Sequence, residues 1–476
     1  MEQEFPLRLF NTLSREIEVF RPIGETVSFY TCGPTIYNFA HIGNFRAYVA
    51  QDILKRYLRY KGFSVKHVMN LTDVDDKTIR DSKKEGLPLS TFTAKYREAF
   101  FQDCSVLNLD PADVYPEATK YVEEMIDLIS VLIEKGLAYR GEDGSIYYGV
   151  SKFPGYGKLS KIPVDSLKAG ARVKTDEYSK EEANDFALWK AWDEGDGDVF
   201  WESPFGRGRP GWHIECSAMA MKNLGETIDI HAGGIDLVFP HHEDEIAQSE
   251  GVTGRPFANY WVHNEYLMVD GKKMSKSLGN FYTLRDVLSK GYSGREVRYL
   301  LLSTHYRSPL NFTFPALEGA RGALDKLSEL ARKLKMVSEG GASREGGKFE
   351  SALSKVALRK FEDALDSDLN VPEALSAVFG FVRDVNRIFP ELGKDGAIEA
   401  LETLRKFDIV LGVLEEDLYG KGEEIPVEVE DLLALRETAR KEKNWAESDR
   451  LRAEIEGRGF VVQDEAGGKS VLRKKV

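Results

Sequence analysis

The stretch "KKMSKSLGNF" (272–281) carries residues that could handle phosphate. Lys273 and Lys276 stand three positions apart, and Ser275 directly precedes the second lysine. Flexible ammonium groups can follow negative charge as it moves from an α-phosphate to departing pyrophosphate. A charge run of this kind is also typical of a solvated surface loop. The stretch alone leaves both interpretations open.

A second phosphate candidate lies near the N-terminus, in "CGPTIYNFAHIGNFR" (32–46). A predicted strand ends here, a Gly-Pro turn follows, and His41, Gly43 and Asn44 open a predicted helix. The start of a helix presents free N–H groups and the positive end of its dipole, which suits phosphate. Gly43 would let a flat base approach the backbone, and His41 could donate a hydrogen bond to phosphate. An ordinary strand-to-helix turn with a surface histidine explains the same residues.

A metal candidate combines distant parts of the chain. Cys216 lies in "ECSAM", and "FPHHEDEIAQSEG" carries His241 and Glu245, which share a face at i, i+4 if the segment is helical. Cys32 ends the first predicted strand, and zinc takes cysteine, histidine and carboxylate ligands in tetrahedral sets. A buried apolar cysteine and a solvated helix start would give the same pattern, because no CxxC or HExxH spacing is present. The missing HExxH also argues against a metalloprotease.

An acidic loop, "NLTDVDDK" (70–77), follows a predicted strand. Asp73, Asp75 and Asp76 could bind magnesium, but a polar loop at the carboxyl end of a sheet is the favoured interpretation. Ligands bind at those carboxyl ends in open α/β sheets. Thr72 is therefore a candidate substrate contact.

Alternating strand and helix patterns surround these motifs. Predicted strands at 26–32 and 64–71 flank a predicted helix over 44–63, which Gly62 terminates. Strand, helix and strand of these lengths form a βαβ unit, which predicts a parallel sheet with a right-handed crossover. The apolar face of the helix consists of Phe45, Val49, Ile53, Leu54 and Leu58.

The pattern predicts an α/β fold in several parts. An inserted region holds one strong helix (roughly 117–137), then short strands and glycine-rich turns, and the α/β pattern resumes near 227–234. The chain becomes helical from about 315, and its last part predicts two helices and a hairpin. The predicted parts are 1–111 with 208–264, an insert at 112–207, a segment 265–314, a helical bundle 315–418 and a terminal unit 428–476.

Composition excludes several classes of protein. The 476 residues favour about three domains, and 42% apolar residues can build real cores. A formal charge of −13 argues against non-specific nucleic-acid binding, although local patches can still bind RNA. Three cysteines form no disulfide framework and indicate a reducing compartment. No signal peptide and no apolar run of about 18 residues is present, so we expect a soluble cytoplasmic protein without membrane partners.

Together, "HIGN" and "KMSKS" on a parallel α/β scaffold resemble the paired motifs of class I aminoacyl-tRNA synthetases. The finer resemblance is to the cysteinyl-tRNA synthetase family, and it rests on "FYTCGPTIYNFAHIGN", "NLTDVDDK", "GRPGWHIECSAM", "DIHAGGIDLVFPHHEDEIAQSE" and "KMSKSLGNF". It extends over nearly the whole chain, because "HYRSPLNF", "DSDLNVPEAL" and "KNWAESDRLR" are also similar to that family. The resemblance implies a Rossmann-type catalytic domain with an inserted subdomain, a helical bundle and a small α+β anticodon-binding unit.

The resemblance implies that ATP, accompanied by Mg²⁺, activates L-cysteine to cysteinyl-adenylate, and that the cysteinyl group passes to tRNA(Cys). It also implies one zinc ion per chain, held by Cys32, Cys216, His241 and Glu245, while His242 and Glu243 stay outside the set. Zinc binds a thiolate strongly and a neutral hydroxyl poorly, so it would separate cysteine from serine. Four protein ligands usually make a closed site. We therefore expect five-fold coordination, or a loosened Glu245, when cysteine binds.

The resemblance also implies roles for further residues. The amino-acid pocket would contain Gly33, Thr72, Trp212, His231 and Asp236. ATP would be bound by His41, Gly43, Asn44, Lys273, Ser275 and Lys276, among which His41, Asn44 and the two lysines would be catalytic. The anticodon would be read by Arg440, Trp445 and Asp449.

Two points remain open in these assignments. Asn44 departs from the commonest first motif, which has histidine, and we expect altered contacts rather than lost activity. Trp445 could equally be a core residue of a small helical pair.

Three other functions share part of this pattern. A cysteine ligase that acts on an amino sugar has the catalytic half and both motifs but lacks the tRNA-binding tail, which is present here over 420–476. A non-catalytic tRNA-binding paralogue is disfavoured by the intact motifs, and a zinc hydrolase by the missing HExxH. A monomer is expected, although the sequence leaves the oligomeric state open.

Overall fold

The computed structural model describes residues 6–162, 185–275, 278–340, 351–414, 427–441, 444–458, 460–464 and 470–474. The chain divides into two compact units, Met1–Leu414 and Glu415–Val476. In the first unit, the strands in chain order are β1 (Arg8–Asn11), β2 (Glu16–Val19), β3 (Thr26–Thr31), β4 (Ser64–Met69), β5 (Ala138–Arg140), β6 (Ile146–Tyr148), β7 (Phe186–Ala191), β8 (Gly208–Pro210), β9 (Ile228–Gly234), β10 (Ala258–Asn264), β11 (Leu267–Val269), β12 (Lys272–Lys273) and β13 (Leu310–Phe312).

The α-helices of the first unit are α1 (Ile42–Tyr60), α2 (Asp76–Glu85), α3 (Leu89–Val106), α4 (Val122–Glu134), α5 (Trp212–Leu224), α6 (Glu243–Thr253), α7 (Leu284–Leu288), α8 (Gly294–Leu302), α9 (Phe314–Ser338), α10 (Ser351–Asp366), α11 (Val371–Ile388) and α12 (Lys394–Leu411). The second unit contains α13 (Val427–Lys441), α14 (Trp445–Gly457), β14 (Phe460–Asp464) and β15 (Ser470–Lys474).

A four-stranded parallel sheet, ordered β10-β9-β3-β4, forms the centre of the first unit. Strands β3 and β4 are joined through α1, so the predicted βαβ unit is confirmed. Because the strands are parallel, their carboxyl ends lie at one edge of the sheet, where open α/β folds bind ligands. The segments that follow β3, β4 and β9 carry the motifs singled out in the sequence.

Helix α1 forms where the sequence predicts a helix, and it begins two residues earlier. His41 caps its first turn, and the chain leaves the helix at Gly62, whose φ of +90° favours glycine. The predicted apolar face is buried throughout, because Phe45, Val49 and the three other predicted residues lie in the core. This burial fixes the orientation of α1 on the sheet.

The inserted region contains α4 and a separate antiparallel sheet, ordered β5-β6-β7-β8. The strong helix predicted over 117–137 is shorter and spans Val122–Glu134. Buried residues of α4 and β7, such as Ile129 and Leu188, share one apolar cluster with Ile246 of α6. The insert is therefore packed against the helix that follows β9.

After β10 and before the helical bundle, the chain forms a three-stranded sheet, ordered β12-β11-β13. Its strand β12 contains the first two residues of the KKMSKS stretch. Helices α9 to α12 then form the predicted bundle, in which Phe407 contacts the rings of Phe361 and Phe381.

The second unit consists of two helices and the antiparallel hairpin β14–β15, as predicted. Its small core consists of Val429, Leu432, Leu451, Ile455, Phe460 and Val462. The predicted turn "DEAGGKS" lies mostly outside the described residues. Among the described residues of both units, no helix is long and apolar enough to cross a membrane.

Candidate active site and metal centre

Four potential metal ligands meet at the carboxyl edge of the parallel sheet. Cys32 follows β3, Cys216 lies in α5, and His241 and Glu245 flank the first turn of α6. One ligand atom of each lies within 4.8 Å of every other, and all four residues are buried. His241 Nε2 is 3.1 Å from Glu245 Oε1, so the two residues share a face as expected. The structure thus brings together the four residues that the family resemblance implies as ligands.

A second set shares two of these residues. Cys32 and Glu245 also lie within 4.8 Å of the ring nitrogens of His231 and His242. His231 Nε2 is 2.8 Å from Glu245 Oε2, and His242 Nε2 is 3.3 Å from Cys32 Sγ. His242, left outside the predicted set, therefore belongs to the same cluster. Both sets offer zinc donors, but only the set with Cys216 supplies two sulfur atoms, the softer combination that zinc favours.

The protonation of the cluster favours a cation. A hydrogen bond with Cys32 holds the pKa of the Cys216 thiol well below its usual value, although burial opposes this. Burial raises the pKa of Cys32 well above its usual value. Burial alone would lower the pKa of His241, but Glu245 and Cys216 outweigh it and raise this pKa to about 9. Cys216 is therefore the more acidic thiol, while burial raises the pKa of Glu245 well above its usual value, so the Cys216 thiolate is the group of this cluster that attracts positive charge.

Glu243 points away from the metal cluster and holds the insert. Its fully buried carboxylate accepts hydrogen bonds from three backbone amides of one loop, those of Gly157 (2.9 Å), Leu159 (3.1 Å) and Ser160 (2.8 Å). Hydrogen bonds to a charged group are about twice as strong as neutral ones. Leaving Glu243 out of the ligand set is consistent with this geometry.

Asp244 reaches His241 through a second histidine. It accepts a hydrogen bond from Tyr156 and lies 3.4 Å from His213 Nε2. His213 Nδ1 is in turn 2.8 Å from His241 Nδ1. Such partners orient a ligating imidazole and leave its other nitrogen facing the metal. On the far side of the cluster, His242 Nδ1 is 2.7 Å from His263 Nε2.

The predicted amino-acid pocket surrounds this cluster. The Trp212 ring stacks on His241 with centroids 4.3 Å apart and is 41% exposed, which places it at the mouth of the site. Burial lowers the pKa of His231 to about 3, and Nε2 of its neutral ring forms a 2.8 Å hydrogen bond with Glu245 Oε2. Its Nδ1 has no hydrogen-bond partner among the described residues. Trp212 and His231 thus both lie against residues of the metal cluster.

Three further pocket candidates lie close to the ligands in sequence or space. Thr72 donates a 2.9 Å hydrogen bond to Glu215, the neighbour of Cys216. Gly33 follows Cys32 and donates its N–H to Asn70, and a Cβ there would lie 1.8 Å from the Asn70 carbonyl oxygen. No residue larger than glycine fits that position. Asp236 lies exposed in the short helical turn after β9.

The HIGN residues form a capping box at the start of α1. His41 Nδ1 accepts a hydrogen bond from the Asn44 N–H, and Asn44 Oδ1 accepts one from the His41 N–H, both at 3.1 Å. The two side chains therefore satisfy backbone groups that a helix start otherwise leaves unpaired. This is how the structure accommodates asparagine at the fourth position of the motif. The sequence motif predicts that both side chains bind phosphate, and it does not predict the capping box.

The KMSKS loop leaves the three-stranded sheet at Lys273, which is exposed. Asn280 closes the loop, because its side chain accepts from the Ser275 N–H at 2.9 Å and donates to the Lys273 carbonyl at 3.2 Å. Lys276 lies outside the described residues. The structure thus describes the two ends of the loop and the asparagine that joins them.

The two motifs meet directly. The Ile42 N–H donates to the Tyr282 carbonyl at 3.0 Å, and the Phe281 ring lies edge-on to His41 with centroids 5.2 Å apart. A Cβ at Gly43 would lie 3.1 Å from the Met274 methyl group. The start of α1 therefore contacts described residues on both sides of Lys276.

The acidic loop is structural. Asp73 accepts hydrogen bonds from Thr119, and Asp75 caps α2. Asp76 pairs with Lys190 and with Arg209 of the insert. Each carboxylate has partners within the protein, which supports the favoured polar-loop interpretation rather than a magnesium site.

Comparisons with known proteins extend the same pattern over the chain. A family model described as the tRNA synthetases class I (C) catalytic domain matches residues 19–322, and a DALR domain model matches residues 360–415. A third model, described as the cysteinyl-tRNA ligase anticodon binding domain, matches residues 422–471. The cysteine–tRNA ligases of Protochlamydia amoebophila (strain UWE25) and Chlamydia pneumoniae are each 50% identical to the chain, with 98% of both partners covered. The chain belongs to the cysteine–tRNA ligase family.

Solved structures agree with this class I fold. The Mycobacterium tuberculosis methionyl-tRNA synthetase in complex with methionyl-adenylate superposes with a TM-score of 0.64 and 15% sequence identity. The alignment covers 83% of this chain and 92% of that one. At this identity the likeness concerns the fold alone, and it confirms the predicted class I architecture.

The family's anticodon-binding part corresponds to the second unit. Trp445 begins α14 and is 59% exposed, and it lies outside the small apolar core of this unit. The alternative of a core tryptophan is therefore wrong. Asp449 follows one turn later on the same exposed face, and Arg440 lies half-buried in α13. An exposed indole next to polar side chains is a surface that can stack an unpaired base.

Proposed function

We propose that the chain is a ligase that activates L-cysteine with ATP and transfers the cysteinyl group to tRNA(Cys). One observation carries this proposal: a buried cysteine, histidine and glutamate cluster lies at the same sheet edge as the joined HIGN and KMSKS motifs, in a member of the cysteine–tRNA ligase family. The three cysteines are unpaired, as in proteins of a reducing compartment, and we place the reaction in the cytoplasm.

Cysteine must be selected over serine, which differs only by oxygen in place of sulfur. Packing discriminates weakly between such near-isosteres. The donor set of Cys32, Cys216, His241 and Glu245 fits one zinc ion, because two thiols, an imidazole and a carboxylate are buried at close range. When bound, zinc supplies a Lewis acid that prefers a thiolate to a hydroxyl.

Protein side chains would then hold the rest of the amino acid. The Trp212 ring would close the mouth of the pocket, and His231 would offer its unpartnered Nδ1 to the substrate. Thr72, fixed by Glu215, and the glycine backbone at Gly33 would line the floor, with Asp236 at the rim. These groups orient the substrate carboxylate toward ATP.

Adenylate formation requires positioning and charge stabilisation. The cysteine carboxylate attacks the α-phosphorus of Mg²⁺-bound ATP and pyrophosphate leaves. Gly43 would admit the adenine, and His41, Asn44, Lys273, Ser275 and Lys276 would bind the phosphates. The adenylate then passes its cysteinyl group to a hydroxyl of the terminal adenosine of the tRNA, and AMP leaves.

The remaining domains would hold the tRNA. The DALR-domain helices would dock its stem, and the second unit would read the anticodon through Arg440, Trp445 and Asp449. Stacking of a base on an aromatic ring is worth about 1–3 kcal/mol. Loss of the Trp445 ring would therefore weaken tRNA binding by about this amount.

Glu245 offers a way to open the metal site to substrate. Its Oε2 is already held by His231 at 2.8 Å, so the carboxylate has a second partner if it leaves the metal. Cys32, Cys216, His241 and Glu245 would hold the metal, which would supply a Lewis acid for the thiolate of cysteine, and Glu245 would be the ligand that loosens. The absorption spectrum of a cobalt-substituted enzyme should show added sulfur ligation with cysteine and none with serine, and an unchanged spectrum would contradict this.

Pyrophosphate exchange measured with each amino acid in turn tests the function. Exchange that depends on cysteine, is insensitive to serine and is lost with a zinc chelator supports the proposal. Absence of exchange would indicate a tRNA-binding paralogue or a zinc hydrolase. Charging of tRNA(Cys) by the same preparation then separates the ligase from an enzyme that joins cysteine to an amino sugar.

A further inference from the structure

Arg46 lies in the second turn of α1, two residues after the HIGN motif, and is buried. Its guanidinium binds backbone carbonyls only: Nη1 donates to Leu301, and Nη2 donates to Thr304 (3.0 Å), His305 (2.8 Å) and Ser308 (3.5 Å). In the part of the chain that the structure describes, no carboxylate pairs with it. Burying a cation without a counter-ion costs free energy of folding. The role of Arg46 therefore follows from the backbone segments that its guanidinium holds together.

These carbonyls belong to one connection. Leu301 lies in the last turn of α8, where carbonyls are unpaired and a cation is favourable. The next three acceptors form the loop from α8 to β13. Arg46 therefore fixes the start of α1 to the segment that enters the three-stranded sheet.

Strand pairing extends this connection to the KMSKS loop. Strand β13 pairs with β11, and β11 pairs with β12. In the second pair, Met268 of β11 lies opposite Lys273 of β12. The side chain of Asn311 in β13 also accepts a hydrogen bond from the N–H of Gly271, in the turn between β11 and β12, at 2.7 Å. A short path of hydrogen bonds thus joins Arg46 to the strand that carries Lys273.

The KMSKS loop is fixed to α1 at its other end as well. The Ile42 N–H bonds to the Tyr282 carbonyl, and His41 forms a backbone bridge with Thr283. Downstream of the loop, backbone hydrogen bonds of Tyr282 and Thr283 attach it to the start of α1. Upstream of the loop, Arg46 links α1 to the sheet that carries Lys273. Upstream, α1 also packs against β11, and Arg46 adds side-chain hydrogen bonds to the connection that leads into β13.

We propose that Arg46 is a positioning residue for adenylate formation, because it sets the distance between the β11–β12 hairpin with Lys273 and the helix start at His41. The inference rests on the proposed function and assigns this residue a role in its first step. Lysine cannot replace it, since a single ammonium lacks the planar fork that spans the end of α8 and the following loop. A misplacement of about 1 Å at a reacting group costs up to about 100-fold in rate.

Two variants test the path at different points. Arg46→Lys removes the fork, and Asn311→Ala removes the bond to Gly271 from an exposed position that should not impair folding. Arg298→Lys is the matched control. Arg298 is an equally buried arginine of α8, but it binds Asp52 and carbonyls of Leu107, Asn108 and Leu411, away from the KMSKS loop.

The measurements are the kcat of cysteine-dependent pyrophosphate exchange, the KM for cysteine, the zinc content and the melting temperature. We expect Arg46→Lys and Asn311→Ala to lower kcat by about 10- to 100-fold, with KM for cysteine within about twofold and zinc content unchanged. Arg298→Lys should lower the melting temperature and leave kcat within about twofold.

Two results would overturn the proposal. One is a kcat within about twofold of wild type for folded Arg46→Lys, or for Asn311→Ala if Arg46→Lys does not fold. The other is an equal fall in Arg298→Lys, which would mean that kcat follows packing in general. The wild-type enzyme separates this test from that of the proposed function, because absent cysteine-dependent exchange there would refute the function itself.

Discussion

Gly43→Ala separates a role in ATP binding from a role in folding. Gly43 is the second residue of α1, where alanine is normally the better helix former by up to about 1 kcal/mol. A methyl group there would lie 3.0 Å from His41 Nδ1 and 3.1 Å from the Met274 methyl. These contacts are tight but involve side-chain atoms, and the methionine can move.

The structure allows the magnitude of both effects to be estimated. Weakening of the His41 cap would cost about 0.5–2 kcal/mol, which offsets the gain in helix propensity. The free energy of unfolding should therefore change by no more than about 1 kcal/mol. A methyl group between the adenine and the backbone would displace ATP by about 1 Å or more, which corresponds to a loss of about 100-fold in kcat/KM for ATP.

Pyrophosphate exchange at varied ATP, together with thermal unfolding, measures both quantities. Gly319→Ala is the control, because this glycine lies in α9 and a methyl group added there would have nothing within 4 Å. It should stabilise the protein by up to about 1 kcal/mol and leave the kinetics unchanged. If Gly43→Ala keeps its kcat/KM for ATP within about threefold of wild type, the adenine does not approach this backbone and the assignment is wrong.

Three further predictions address other parts of the molecule. Cys216→Ser should lose bound zinc and at least about 100-fold of cysteine-dependent exchange, and full zinc content by metal analysis would contradict its ligand role. Trp445→Ala should weaken tRNA(Cys) binding by about 1–3 kcal/mol in filter binding but leave exchange intact, whereas the equally exposed Leu435→Ala should change neither. Burial, with a contribution from Lys55, holds the pKa of His67 well below its usual value, so His67 stays neutral when folded and protonates when unfolded. Wild type should thus lose about 2 kcal/mol relative to His67→Gln between about pH 6.5 and 5 in urea unfolding, and parallel stability curves would exclude this.

The sequence predicted the parts of the fold that local pattern determines. The βαβ unit and the apolar face of α1 followed from periodicity, because burial of Phe45 and Val49 requires helical spacing. The ligand residues were recognisable because cysteine, histidine and glutamate in a family motif are chemically distinctive. His241 and Glu245 could be paired in advance, since one helical turn separates them.

Residues that act through distant partners could not be predicted. His213 and Asp244 support His241 only because α5 and α6 pack side by side. Arg46 looked like one more polar residue of a helix, since its acceptors lie more than 250 positions away. The capping role of His41 and Asn44 could not be predicted either, because histidine is not a usual N-cap residue.

The run from His241 to Glu245 has a consequence for protein engineering. Three of its five consecutive side chains belong to the metal cluster, and one of these three, His242, also reaches His263. Of the other two, Asp244 lies beside His213 and Glu243 holds the backbone of the insert. In a chimera of two relatives with a crossover inside this run, some side chains of the run would come from one parent and the residues they contact from the other. Recombination between relatives should therefore exchange the run as a block, together with the loop around Gly157.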